Sequence, residues 1–178
     1  MNKKKMKEEK EIFTISALTE NRSGMLNAVT IIFTRRKMNI EAINVSETEV
    51  EGVSRFTIVV KETFSRAEQV VKQINKLVDV LGAFLYREDE VYYQEIAMFK
   101  MDTSAFLNNN TIEGMVRNNG ARILVIEKDH IIIEKTGHRK EIRDLRDQLE
   151  PFGLLEYVRS GRVAISKSKR KTHVFLKE

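Results

Sequence analysis

The chain of 178 residues is 42% hydrophobic and 32% charged, an ordinary globular balance that excludes a chain disordered throughout. It has no cysteine, which excludes disulfides, thiolate catalysis and cysteine-bound metal. The net charge of +5 sits at the ends: residues 1–10 carry +3, residues 167–178 carry +4, and residues 11–166 carry −2, which argues against a nucleic-acid-binding fold with a basic stripe.

Residues 1–10 read as a disordered basic tail with no apolar signal core. No apolar run approaches the roughly 20 residues that span a bilayer, so a cytoplasmic protein without a membrane partner is expected. Ile12–Thr19 is strand-like, and Asn21-Arg22-Ser23-Gly24 breaks it. From Met25 the pattern turns helical, with Met25, Leu26, Val29, Ile32 and Phe33 forming one apolar stripe. Ile40–Val50 and Val53–Val60 read as strands joined through Glu51-Gly52. Ser65–Leu77 is a second helix with Ala67, Val70, Val71, Ile74 and Leu77 on one face, and Val78–Tyr86 is a fourth strand.

The order then repeats. Val91–Met101 is a strand, and a helix begins near Asn110 or Thr111 and stops at Asn119-Gly120. Ala121–Glu127 and His130–Lys135 form a hairpin, His138–Leu149 is helical until Pro151-Phe152-Gly153, and Leu154–Ile165 is a last strand. The fold class is α+β: two tandem ferredoxin-like βαββαβ domains, over residues 11–87 and 91–166, with a basic tail at 167–178. Each unit is small for a self-sufficient core, so a homodimer at least is expected.

Catalytic constellations are scarce. His130, His138 and His173 lack metal-ligand spacing, and no GxGxxG, Walker A or GxSxG string occurs. No catalytic residue and no metal site is assigned, and the chain reads as non-catalytic. The loop before the first helix is the one candidate small-molecule site. A helix N-terminus favours a carboxylate, Gly24 permits close backbone approach, and the Asn21 amide can bond either end of a zwitterion. Met25, Leu26 and Ile40 are apolar candidates for its wall. The same spacing also reads as a plain helix cap by Asn21 or Ser23, and on spacing alone that reading has precedence.

The string Leu18-Thr19-Glu20-Asn21-Arg22-Ser23-Gly24-Met25-Leu26, followed by Arg35-Arg36-Lys37-Met38-Asn39-Ile40-Glu41, resembles the ACT domain of acetolactate synthase small subunits. The second half matches independently. Gly120-Ala121-Arg122-Ile123, Thr136-Gly137 with Lys140, and Phe152-Gly153-Leu154-Leu155-Glu156-Tyr157-Val158-Arg159-Ser160-Gly161-Arg162-Val163-Ala164 are similar to that family's strings.

The resemblance implies a subunit without catalysis of its own. It would activate a large catalytic subunit carrying thiamine diphosphate, Mg²⁺ and FAD, and confer feedback inhibition by valine or another branched-chain amino acid. It also implies an effector site at an ACT–ACT interface, with Asn21, Gly24 and Leu26 from one chain and Asn39 and Ile40 from its neighbour. Lys37 stands where the family commonly has glycine, Ala28 where it often has arginine, and Ile31 where it often has glycine. A stand-alone ACT sensor serving another enzyme would explain only the first half. A nucleic-acid-binding regulator would have to work through the basic tails.

Overall fold

The computed structural model describes residues 9–107 and 110–169. The expected tails therefore lie mostly outside the described residues. Strand β1, Glu11–Glu20, is buried on both sides: Phe13, Ile15 and Ala17 enter the core, while Thr14, Leu18 and Thr19 are also shielded. Helix α1, Met25–Arg35, buries Met25, Val29, Ile32 and Phe33 at helical spacing. Leu26, expected on that stripe, is instead half exposed.

Strands β2 (Ala42–Glu47) and β3 (Val53–Glu62), helix α2 (Phe64–Ile74) and strand β4 (Val80–Arg87) complete the first sheet. Its order is β2-β3-β1-β4, with every neighbouring pair antiparallel. That is the ferredoxin-like arrangement. β2 is shorter than expected because its ladder runs only from Ala42↔Val59 to Glu47↔Ser54. Ile40 packs on the core ahead of the ladder without joining it.

The second half repeats the plan with β5 (Val91–Asp102), a short α3 (Thr103–Leu107), α4 (Asn110–Asn118), β6 (Arg122–Ile126), β7 (His130–Gly137), α5 (Arg139–Leu149), β8 (Leu154–Arg159) and β9 (Val163–Ser166). The sheet order β6-β7-β5-β8 matches the first, and β9 also pairs with β5. Its core gathers Phe99, Met101, Ile112, Ile131, Ile133, Ile142, Leu145 and Leu149. Helix α3 was not expected. Asp102 starts it by accepting the Ser104 backbone N–H at 2.7 Å. Among the described residues, no helix is long and apolar enough to cross a membrane.

The expected last strand is two strands. At the break, the Ser160 hydroxyl accepts the Ile96 N–H at 2.9 Å, and the Ser160 N–H donates to the Ile96 carbonyl at 2.8 Å. Arg162 then buries its side chain in the first unit, donating to the Thr14 hydroxyl and to Glu88, both at 3.1 Å. The chain divides into two compact units. Described residues up to Tyr92 and from Arg162 onward form one, and Tyr93–Gly161 form the other. Residues 162–166, expected in the second domain, group with the first.

Helix α1 of the first unit and α4 of the second end in the same way. After α1, the Lys37 N–H reaches the Thr34 carbonyl at 3.0 Å and the Met38 N–H reaches Phe33 at 3.0 Å. After α4, Gly120 bonds Arg117 at 3.1 Å and Ala121 bonds Val116 at 2.9 Å. Both are Schellman endings, which place one residue in the left-handed region. Gly120 takes it at φ 60°, and Lys37 takes it at φ 50°. Lysine thus adopts the left-handed conformation that glycine ordinarily supplies at this position. A side chain there costs about 1–2 kcal/mol, partly offset because glycine loses more freedom on folding. Lys37→Gly is therefore expected to stabilise the first unit by about 0.5–1 kcal/mol, read as a higher denaturant midpoint at unchanged slope.

On β7, Glu134 is buried and takes the Thr136 hydroxyl at 2.6 Å and the Arg122 guanidinium. The Thr136 hydrogen bond, with Arg122 adding to it, holds this carboxyl below its usual range against the opposing effect of burial. The unfolded chain then binds the proton more readily than the folded one. The contribution of this group is complete above the ordinary glutamate pKa and is lost as pH falls through the lowered value. Glu134→Gln should flatten the acid limb of stability measured by denaturant titration across the carboxylate range. An unchanged limb would contradict this assignment.

Candidate functional site

The loop between β1 and α1 is anchored from both sides. The Glu20 N–H donates to the Asp79 carbonyl at 2.9 Å, and the Asn21 N–H donates to the Gly52 carbonyl at 2.8 Å. The Arg22 side chain is tied to Glu20 at 2.8 Å and to Asp79 at 3.4 Å. The backbone then turns at Gly24, φ 90°, into α1. A Cβ on Gly24 would meet nothing within 4 Å, so glycine answers a left-handed backbone here rather than a shortage of space.

No side chain caps α1. The cap reading of Asn21 and Ser23 is thereby overturned. The Asn21 amide instead donates to Glu47 Oε1 at 2.8 Å. The first-turn N–H groups and the positive end of the helix dipole carry no side-chain acceptor, the arrangement that suits an anion.

Beside this turn lies an open pocket of about 150 Å³. Asn21, Gly24, Met25 and Leu26 all line it, joined by Val45 and Phe56 from the β2–β3 hairpin. Half-exposed Leu26 and Val45 form apolar walls, and buried Phe56 lies behind them. Glu47, bonded to Asn21, brings a carboxylate to its edge. The combination can hold a small zwitterion: helix N–H groups and the Asn21 amide for a carboxylate, Glu47 for an ammonium, and the walls for an aliphatic chain.

Asn39 and Ile40 do not line this pocket. They follow the other end of α1, where the Asn39 amide donates to Glu41 at 3.1 Å and Ile40 packs on the core. Val45, Glu47 and Phe56 were not singled out in the sequence. They depend on the register Val45↔Phe56 and Glu47↔Ser54, which brings the end of the hairpin to the end of β1. The histidines are elsewhere: His130 bonds Asp129 at 2.8 Å, and the His138 ring lies edge-on to Tyr93 at 4.4 Å. His173 falls outside the described residues. Among the described residues, no group of three or more acidic, histidine or cysteine side chains is placed to hold a metal ion.

Two family models match the chain. Residues 15–82 match an AHAS small subunit-like ACT domain, and residues 94–168 match the small subunit of acetolactate synthase. The acetolactate synthase small subunit of Bacillus subtilis is 36% identical, over 89% of this chain and 91% of its own length. A probable acetolactate synthase small subunit of Methanothermobacter thermautotrophicus is 33% identical, over 91% and 96%. The crystal structure of the acetolactate synthase small subunit from Thermotoga maritima superposes with a TM-score of 0.81 at 28% identity, covering 90% of this chain and 99% of that one. With both halves matched in order and nearly end to end, the chain belongs to the acetolactate synthase small-subunit family.

Proposed function

We propose that this chain is the regulatory subunit of an acetolactate synthase, activating a catalytic subunit and making it responsive to valine. The observation that carries the reading is the uncapped start of α1 at Gly24, with the Asn21 amide and the Leu26–Val45 walls beside it. Thiamine diphosphate, Mg²⁺ and FAD belong on the catalytic partner, which decarboxylates pyruvate and condenses the fragment with a second 2-keto acid. This chain supplies no catalytic group.

The pocket is open and small, half the roughly 300 Å³ at the lower end of common ligand sites. A second copy completes it in this reading, with the neighbour's Asn39 and Ile40 closing the exposed side. A ligand held across two copies binds one packing of the dimer better than another. That difference in affinity is the whole of its leverage over the catalytic partner. The charge distribution supports this over a nucleic-acid role, since residues 11–166 are net acidic.

The test is acetolactate formation by the cognate large subunit, with and without this chain, over a valine titration. Stimulation that valine reverses is expected. Absence of stimulation would overturn the reading in favour of a sensor for another enzyme. Asn21→Ala removes one exposed hydrogen bond to a charged ligand group and should weaken valine binding about tenfold, near 1.5 kcal/mol, with activation intact. Calorimetry reads the affinity, and an unaltered value would displace the site. Gly24→Asp, which puts a negative charge where the carboxylate binds, should abolish inhibition while stimulation persists.

A further inference from the structure

The pocket before α1 sits over the last cross-strand row of the first sheet. Ser54 of β3 lies between Thr19 of β1 and Glu47 of β2, and all three share the sheet face that carries Phe56. The next row inward, Ala17, Phe56 and Val45, is wholly apolar. A polar row and an apolar row thus lie side by side at the start of the helix.

Two groups of the polar row lack a match within the chain. Ser54 lines the pocket and is only 5% exposed, yet its hydroxyl has no hydrogen-bond partner among the described residues. Its neighbour Thr19 is satisfied, donating to the Glu20 carbonyl at 3.0 Å. Shielded polar groups are nearly always paired, so the Ser54 hydroxyl calls for a partner from outside the chain. The second group is Glu47. It accepts from the Asn21 amide at 2.8 Å but forms no ion pair among the described residues, whereas Glu20 and Arg22 neutralise each other at 2.8 Å.

We propose that Ser54 and Glu47 together form the ammonium half of this pocket, so that it selects an amino acid over the same carbon skeleton without its amine. The inference rests on the effector reading above and names what that site requires of its ligand. Charge decides which end of the ligand meets Ser54. Side chains directly opposed on neighbouring strands have Cβ atoms about 5 Å apart. A carboxylate bonded to Ser54 would therefore face the Glu47 carboxylate at close range, while an ammonium can donate to both residues at once. The ligand's carboxylate is left to the N–H groups at the start of α1, and its aliphatic chain to Val45 and Phe56. Such a site distinguishes a 2-amino acid from the 2-keto acid that carries the same side chain.

Binding to the full chain tests this, with valine and with 3-methylbutanoate, which is valine without its amine. Calorimetry reads the tighter ligand, and amide shifts of Gly24 and Met25 read the weaker. Valine should bind about thirtyfold more tightly than 3-methylbutanoate. Ser54→Ala should weaken valine about tenfold and Glu47→Gln about threefold, with 3-methylbutanoate unchanged within about a factor of two in both. Equal losses for the two ligands, or an unaltered ratio, would overturn the proposal and leave the effector reading standing. Failure of the unaltered chain to bind valine would overturn both.

Discussion

The burial of β1 on both faces is the constraint from which the first unit follows. The strand pairs with β3 over its whole length, from Glu11↔Glu62 to Glu20↔Val53, and with β4 on its other side. A strand so enclosed has one workable register, because a slip by one residue would drive Phe13 and Ile15 out of the core. Fixing β1 fixes where it ends, and its end is where the Asn21–Gly24 loop meets the hairpin carbonyl of Gly52. The pocket is a consequence of that register rather than of any residue in the loop alone.

Features set by spacing along one element were legible in the sequence, and features set by pairing between distant elements were not. Both βαββαβ orders were readable because their helices carry clear apolar spacing, as with Val70, Val71 and Ile74 or Ile142, Leu145 and Leu149. Leu26 has the right spacing for the core, yet the left-handed turn at Gly24 sets the first helical turn at the pocket's mouth. The core does reach this turn, where Met25 is buried; Leu26 lies at the margin of the stripe, on the side that faces the pocket. Val45 and Glu47 were invisible as site residues for another reason: their role depends on cross-strand pairing. The break at Ser160 was hidden because its cause, a hydrogen-bonded return to Ile96, lies 64 positions away.

The two units show how one topology tolerates different local solutions. Helices α1 and α4 close with the same pair of hydrogen bonds, but one uses lysine for the left-handed residue and the other glycine. The second unit also keeps a carboxylate, Glu134, inside its sheet by matching it to a hydroxyl and a guanidinium. Such a group is tolerable only because its lone pairs are taken up locally.

Arg162 gives the chain an unusual order of completion. Its buried guanidinium supplies a donor to Thr14 and a countercharge to Glu88, two residues made some 75 to 150 positions earlier. The first unit is therefore interrupted, with the second inserted between its parts. During synthesis the N-terminal segment emerges first but lacks its last contacts until the whole insert has left the ribosome. A fragment cut at the junction between the two sheets would keep all four strands of its own sheet but lose the Arg162 contacts to Thr14 and Glu88, and isolating the complete unit calls for a rejoined chain rather than a shorter one.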